Sequence, residues 1–361
     1  MTEAKTRNIS VDILKIFSMV MVIVLHTKTY GLKDIGFEPT QAMYWIVWAL
    51  HYFSFVAVNC FVLISGYFMS ASASSFSPKK LFKLWFNVEI CSVGIYLVMC
   101  AVPDSCIDFG FAQLLFQSLP IMSNQYWFFT CYFVLMVIAP FLNRFINTME
   151  QKDFKRCVLI TLALFVFVPS INIFGDSFDS SKGYSTVWFI VLYLVAAYLR
   201  RYPFSKKPYG VLYIAISVVS VLAHTLLDML SNYLPLFAQV RDILLRYNCI
   251  TTFLASVCLF LFFLNHPIKT EKLSGKLITQ FAAASFTVYL IHEHPSLRTY
   301  LWNNIVKLYE TTENIPNYLL RLIITIAVIF VFGIVLGKIL SIIINAGEKL
   351  FYKIKNNKKL I

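Results

Sequence analysis

The sequence is poor in charged residues and lacks the features of a soluble enzyme. Only 14% of its 361 residues are charged and 59% are hydrophobic, whereas about a quarter of a typical soluble domain is charged. It contains no linker rich in proline, glycine or serine, no low-complexity run and no loop long enough for an appended domain. Apolar runs of membrane-crossing length follow one another instead. The composition therefore predicts a polytopic integral membrane protein.

The sequence also lacks metal-binding and disulfide patterns. Its eight cysteines form no CxxC pair and no metal-ligand spacing. Most lie in apolar segments, where cysteine behaves as a small apolar residue. Cys100 and Cys106 flank a segment boundary and could pair in an oxidising compartment, although two free thiols are the more common outcome. We therefore expect no metal site.

Hydropathy predicts an all-α bundle of about ten transmembrane helices, which form one domain over residues 1–361. An even number places both termini on one side, and residues 345–361 form a basic tail. The first helix ends at His26-Thr27-Lys28 without a small-residue cleavage pattern, so we expect it to be retained and not removed as a signal peptide. The ten segments cover residues 11–27, 44–69, 81–101, 126–146, 157–174, 186–202, 209–230, 249–265, 277–292 and 319–344.

Lysine and arginine are distributed unevenly between the segments that link these helices. If the N-terminus is cytoplasmic, the inner segments carry 21 of the 31 basic residues. Because cytoplasmic segments are enriched in Lys and Arg, we expect both termini to be cytoplasmic. This bias accounts for the net charge of +13 without nucleic acid as a partner, and the basic tail can lie against anionic lipid. Lys15 and Lys338 lie within predicted helices, and the outer segments carry Lys28, Lys33, Lys182, Arg241, Arg246, Arg298, Lys307 and Arg321.

The most informative spacing lies in the first apolar segment, between Lys15 and His26. At 100° per residue, eleven steps complete about three turns plus 20°, so the two side chains share one helix face about 16 Å apart. Met19 and Val22 lie on the same stripe. Ionisable residues inside a membrane usually face a polar cavity and mark a functional path. We therefore expect these side chains to line one cavity.

Each member of this pair has a functional and a structural interpretation. A neutral imidazole at His26 could take a proton from an alcohol, or it could be an interfacial histidine bonded to a neighbouring helix. Lys15 could hold a phosphorylated or anionic cofactor from the cytosol. It could equally pair with Asp12, three residues earlier, and extend to the membrane interface.

A few other polar or aromatic residues are candidates for the same cavity. Glu89 is the most isolated acid, midway along the third segment, and we expect it to face the bundle interior. Trp127, Asp228 and His292 fall near the same outer boundary as His26 in the predicted topology. Trp127 fits an interfacial aromatic belt equally well.

Four stretches resemble those of the membrane acyltransferase-3 family, in the same order. Residues 7–26 resemble its opening, with a short polar stretch, an Asp, a basic residue, ten mostly apolar residues and a histidine. Residues 65–70 resemble its Ser-Gly-Phe turn, with Tyr67 in place of phenylalanine. Residues 127–143 resemble its Trp-Phe, Tyr and Pro-Phe-Leu-Asn helix, in which Tyr132 is a further cavity candidate. Residues 285–292 resemble its late Tyr-Leu-Ile-His helix.

The resemblance implies acyl transfer in a bacterial cytoplasmic membrane. The donor would commonly be cytosolic acetyl-CoA, and the acceptor a sugar hydroxyl of an envelope polysaccharide or its lipid-linked precursor. His26 would act as general base or as a transient acyl carrier. Lysines near the inner face would hold the phosphates of coenzyme A, although lysine lacks the bidentate fork of the arginines usual in the family. These cofactor candidates are Lys15, Lys79, Lys80 and Lys83.

The alternative function is that of a secondary transporter or a lipid-linked sugar flippase. Such a protein would also need intramembrane His, Lys and Glu residues along a path. The absence of a convincing internal repeat and of paired Gly/Pro-broken helices counts against it. A membrane scaffold, a third alternative, would not explain the shared face of Lys15 and His26.

The charge distribution makes a prediction about topology. A cysteine introduced at Ser205, in a basic inner loop, should be protected from a membrane-impermeant thiol reagent in intact cells and react after permeabilisation. If this cysteine were labelled from outside intact cells, the predicted topology would be inverted. Access of the donor from the cytosol would then no longer be expected.

Overall fold

The chain folds into a bundle of α-helices, which confirms the all-α prediction. The computed structural model describes residues 8–32, 35–71, 77–270 and 272–357, with the backbone alone for residues 272 and 343–357. These residues form no β-strand. The helices are α1 (Ile9–His26), α2 (Ala42–Ser54), α3 (Ala57–Met69), α4 (Pro78–Ala101), α5 (Phe111–Gln117), α6 (Trp127–Asn147), α7 (Gln151–Leu162), α8 (Val168–Ile171), α9 (Thr186–Arg201), α10 (Tyr209–Ser231), α11 (Leu236–Ile243), α12 (Ile250–Asn265), α13 (Lys272–His292), α14 (Pro295–Tyr300) and α15 (Ile315–Asn357).

Each of the ten predicted segments falls on one or more of these helices, but not all reach membrane-crossing length and hydropathy. Among the described residues, the stretches that do so are Ile9–Gly31, Ala42–Met69, Pro78–Ala101, Trp127–Asn147, Gln151–Ile171, Tyr209–Ser231 and Ile315–Ile342. The other three segments lie on α9, α12 and α13. With 16 residues each, α9 and α12 are shorter than a typical span. The count of ten and the side of the termini stay predictions.

A few basic residues used in the sequence argument fall outside the described part of the chain. They are Lys5, Arg7, Lys33, Lys358 and Lys359, together with the side chains of Lys272, Lys349, Lys353 and Lys355.

Helix α1 lies in the centre of the bundle and packs against α2, α3, α12 and α13. It begins at Asn8, whose side-chain Oδ1 accepts hydrogen bonds from the backbone N–H groups of Ser10 and Val11 at 3.1 and 3.4 Å. This side chain satisfies two of the N–H groups that a helix start leaves without partners. Leu14 and Ile23 are fully buried on α1. The helix that carries Lys15 and His26 is therefore held on several sides.

A glycine sets the close contact between α3 and α9. A Cβ atom at Gly66 would lie 3.0 Å from the Cβ of Ala196 and 3.1 Å from the Cα of Tyr193. Few real Cβ contacts are this short, so a larger residue would push the two helices apart. This contact gives a structural reason for glycine in the stretch 65–70.

A buried asparagine ties α3 to α9 and α12. The Nε1–H of Trp188 donates to Asn59 Oδ1 at 2.9 Å. The Nδ2 of Asn59 donates to the carbonyl oxygen of Tyr247 at 2.9 Å and to Ser256 Oγ at 3.2 Å. All these side chains lie in the core, where an unpaired polar group is costly. The network fixes α3 against α9 and α12.

Candidate active site

Lys15 and His26 both line a central cavity of about 810 Å³. Met19 and Val22 line it between them, as the eleven-residue spacing predicts. The remaining walls come from α2, α3, α4, α5, α6, α13 and α14 and from the segments between them. We call this space the central cavity.

His26 lies against a buried acid, Glu293, which directly follows the last residue of α13. The Nδ1 of His26 is 3.2 Å from Oε2 of Glu293. The side chain of His26 keeps 18% of its surface exposed. Neither of these two atoms has a hydrogen-bond partner among the described residues, so the contact acts through charge, and Nε2 is the ring nitrogen available to a substrate. A carboxylate this close stabilises the protonated form of an imidazole.

Glu293 is itself held by two residues through its other carboxylate oxygen. The hydroxyl of Tyr30 donates to Oε1 at 3.0 Å and Nη1 of Arg298 donates to it at 3.1 Å. Arg298 also donates to the Tyr30 hydroxyl at 3.2 Å and lies over its ring. Tyr30, Glu293 and Arg298 all line the central cavity. Together with His26 they form one polar cluster on the cavity wall.

The electrostatics of Glu293 reflect its position. Only 5% of the residue is exposed. Burial raises the pKa of the Glu293 carboxyl above its ordinary value, while the charges of His292 and Arg298 lower it and offset part of this effect. A carboxylate with a raised pKa is a better proton acceptor than one on the surface.

His292, a predicted site residue, packs behind His26 and does not line the cavity. The centroids of the two rings are 5.0 Å apart. Its Nδ1 lies 2.5 Å from the carbonyl oxygen of Val288, so this nitrogen carries the proton and donates. The residue is fully buried. His292 supports the His26 ring from outside the central cavity.

A polar network closes the cavity at the His26 end. The hydroxyl of Ser92 on α4 donates to Oε1 of Gln125 at 2.8 Å, and Gln125 lines the cavity. Nε2 of His294 donates to the carbonyl oxygen of Ser92 at 2.9 Å, and its Nδ1 accepts from the N–H of Ser296 at 3.1 Å. Burial lowers the pKa of His294 to about 4, so this histidine is neutral at pH 7. It holds α14, and thereby Arg298, against α4.

Aromatic rings form much of the wall near this end. The rings of Trp127 and Tyr184 lie 4.6 Å apart, and Trp127 stacks on Tyr247 at 6.0 Å. Tyr132 lines the cavity one helical turn after Phe128, with the two rings stacked at 5.9 Å. Aromatic faces with hydroxyl groups can pack against the apolar faces of sugar rings or against an acyl chain while offering hydrogen bonds. Trp127 and Tyr132 therefore lie where the sequence predicted them.

The predicted acidic residues separate into three environments. Asp12 is buried beside Lys15, with its Oδ1 3.9 Å from the Lys15 Nζ. Glu89 lies on α4 and does not line the central cavity. Asp228 also lies away from the cavity, where it pairs with Arg241 and accepts a hydrogen bond from the Tyr44 hydroxyl at 3.1 Å. Of the three, only Asp12 contacts a predicted site residue that lines the central cavity, namely Lys15.

The lysines at the start of α4 do not line the central cavity. Lys79 and Lys80 are exposed in the first turn of the helix. Lys83 lines a second, smaller cavity instead, although its neighbour Leu84 lines the central one. The 100° step between consecutive helical residues explains this separation.

Sequence reasoning did not single out Glu293, Tyr30, Arg298 or His51 as site residues. Glu293 directly follows the 285–292 stretch, which is a usable signal. Tyr30 lies four residues after His26, so it shares the same helix face. His51 lies on α2 and lines the central cavity. Neither of its ring nitrogens has a hydrogen-bond partner among the described residues.

Comparison with known proteins identifies the family. A family model described as an acyltransferase domain matches residues 8–337. This range contains Lys15, His26 and Glu293 and nearly all of the four matched stretches. The chain belongs to the acyltransferase-3 family. No curated protein and no solved structure matches it.

For an acyltransferase-3 protein, the arrangement at His26 is suited to general base chemistry. A membrane acyltransferase must bring an acyl donor and an acceptor together in a space from which bulk water is largely excluded. An imidazole that is backed by a carboxylate can take the proton of an attacking hydroxyl. No group of three or more metal-ligating side chains occurs among the residues that the structure describes.

Substitution of Glu293 tests whether it acts through His26. Glu293→Gln keeps the size of the side chain but removes the charge that stabilises the protonated imidazole. We expect kcat for acyl transfer to fall about 10²-fold with KM within a few-fold of wild type. Glu293→Asp should recover part of the loss.

The control for this substitution is Glu310→Gln, a side chain that is 45% exposed and pairs with Lys307. It should leave kcat unchanged. Full activity of the Glu293→Gln protein would exclude the positioning role of Glu293.

Proposed function

We propose that this acyltransferase-3 protein is an O-acetyltransferase of the bacterial cytoplasmic membrane. It would move an acetyl group from cytosolic acetyl-CoA to a sugar hydroxyl of an envelope polysaccharide or its lipid-linked precursor. The observation that carries the proposal is one cavity lined by a cation at Lys15 and by the His26–Glu293 pair. The donor and acceptor chemistry follow from the family resemblance.

The donor would enter at the Lys15 end of the cavity. Lys15 faces the central cavity and keeps 34% of its side chain exposed, so it can meet an anionic group. Along α4, Ser92 contacts the network at the His26 end, and Lys79 and Lys80 therefore lie toward the opposite, Lys15 end. Phosphates of coenzyme A that extend beyond the cavity could contact these two exposed lysines.

The reaction would be completed at the His26 end. His26 Nε2 takes the proton of the sugar hydroxyl while the hydroxyl oxygen attacks the thioester carbonyl carbon. The tetrahedral intermediate then collapses with cleavage of the carbon–sulfur bond. The imidazolium returns its proton to the departing thiolate, so that free coenzyme A and the O-acetyl ester are formed. If His26 carried the acetyl group transiently, its Nε2 would attack the thioester and expel the thiolate, which would take the other ring proton. The sugar hydroxyl would then attack the acyl-imidazole and give its proton to the departing imidazole.

Glu293 would stabilise the imidazolium during this cycle, and Arg298 would hold Glu293 in place. The acceptor sugar would be recognised beside them by the aromatic wall and by His51. The unpaired ring nitrogens of His51 can exchange hydrogen bonds with sugar hydroxyls. A ring such as Trp127 can pack against a sugar face.

His26 provides the sharpest test. His26→Ala removes the proton acceptor, and general base catalysis contributes typically 10²–10⁴-fold in rate. We expect O-acetyl signals to disappear from the proton NMR spectrum of the envelope polysaccharide when a deletion strain is complemented with this variant. The deletion strain with the wild-type gene should regain these signals.

The matched control is His266→Ala, because His266 is an exposed histidine at the end of α12. This variant should restore acetylation fully. O-acetylation by His26→Ala within a few-fold of wild type, at equal membrane abundance, would refute the assignment and favour a transport function.

Lys15 tests the donor end separately. Loss of a charge-assisted hydrogen bond costs about 1.5–3 kcal/mol, so Lys15→Ala should raise the KM for acetyl-CoA by about tenfold to a hundredfold. The kcat should change little, and Lys15→Arg should retain most of the affinity. Lys155→Ala on α7, an exposed lysine, is the control. An unchanged KM in Lys15→Ala would mean that Lys15 only extends to the membrane interface.

A further inference from the structure

A second cavity lies between α4, α13 and α15, and the proposed reaction does not use it. Its volume is about 380 Å³. Lys83 of α4 and Lys338 of α15 both line it. Among the described residues that form its wall, none is acidic. We call it the lateral cavity.

Both lysines lie in helices that are long and apolar enough to cross a membrane. A cation in such a helix is costly unless it finds an anion or reaches the interface. Neither Lys83 nor Lys338 has an ion-pair partner in the described part of the chain. Because both lysines line one cavity, an anion bound there would compensate both charges.

Uncharged polar groups complete the surroundings of the two cations. Asn87, Gln280, Thr287 and Ser341 line the same cavity. Amide and hydroxyl groups donate hydrogen bonds to oxyanions without adding charge. Two ammonium groups with several neutral donors match the chemistry of a phosphate group.

The helix contact beneath the cavity is set by glycines on α15. A Cβ atom at Gly337 would lie 3.2 Å from Thr287 Oγ1, and one at Gly333 would collide with Val288 of α13. Because Gly337 precedes Lys338, this close approach fixes the part of α15 that carries the lysine against α13. The cavity is therefore a property of helix packing and does not depend on a mobile loop.

The rest of the wall favours an amphiphilic ligand over a soluble one. Apolar side chains of α13 and α15 line the cavity beside the polar groups, namely Phe286, Leu290, Ile334 and Leu340. The outward face of α15 continues this surface with Val335, Ile339 and Ile342, which are 50%, 47% and 68% exposed. A phosphate group between the lysines would leave its attached acyl chains along this apolar face.

We propose that the lateral cavity binds the phosphate headgroup of an anionic phospholipid. Basic pockets between transmembrane helices recognise such headgroups by charge. Phe286 lines both the lateral and the central cavity, so it forms part of the wall between them. The lipid site is separate from the donor position at Lys15 and does not depend on the proposed acetyl transfer.

Native mass spectrometry of the purified full-length protein tests the proposal. The protein is exchanged into detergent with equal amounts of phosphatidylglycerol and phosphatidylcholine, and the bound lipid is counted. Each lysine near an anionic lipid surface contributes about 1 kcal/mol, about a fivefold change in affinity. We therefore expect Lys83→Gln combined with Lys338→Gln to lower phosphatidylglycerol retention about 30-fold without changing that of phosphatidylcholine.

Two controls make the outcome decisive. Lys276→Gln changes an exposed lysine of α13 that does not line the cavity, and it should retain phosphatidylglycerol like wild type. The Lys83→Arg and Lys338→Arg pair keeps both charges and should also retain it, and unchanged phosphatidylcholine retention by the Gln pair reports that this variant is folded. Equal retention by the Gln pair and wild type would overturn the proposal. So would displacement of the lipid by coenzyme A, because the cavity would then belong to the donor.

Discussion

The burial of one carboxylate beside His26 is the interaction on which the site depends. Removing a charge from water costs several kcal/mol unless hydrogen bonds and an opposite charge replace its hydration. Glu293 has both, because Tyr30 and Arg298 donate to one oxygen while His26 faces the other. Loss of either donor would leave an incompletely paired carboxylate in the core. The contacts that compensate for its burial also hold the carboxylate beside the imidazole.

The break between α13 and α14 makes this arrangement rigid. Helix α13 ends at His292, and Pro295 begins the next helix, where a missing N–H costs nothing. The side chain of His294 caps α14 by accepting from Ser296 and donates to α4. Glu293 is thus held in a turn whose two sides are fixed, and Arg298 follows on the first turns of α14. Preorganisation of this kind keeps Glu293 beside His26 in the absence of a substrate.

Sequence reasoning succeeded where the geometry is local and failed where it depends on packing. The 100° step and apolar periodicity were enough to give most of the helices and the shared face of Lys15 and His26. No local pattern could pair His26 with Glu293, because these residues are far apart in the chain and meet only after α1 packs on α13. The sequence also did not show which face of α4 is turned toward the central cavity. Lys83 and Leu84 are adjacent in sequence, yet they face different cavities.

The identity of the counter-charge distinguishes the cations that line the two cavities. Lys15 lies beside Asp12, so its positive charge is partly compensated before any ligand arrives, and a bound anion could exchange readily. Arg298 is committed to Glu293 and has a structural task. Lys83 and Lys338 face a cavity whose described wall has no carboxylate, so their compensation must come from a ligand or the bilayer. In a low-dielectric environment a cation needs a compensating anion. The presence or absence of a protein carboxylate beside each cation therefore indicates whether that cation has a structural role or binds a ligand.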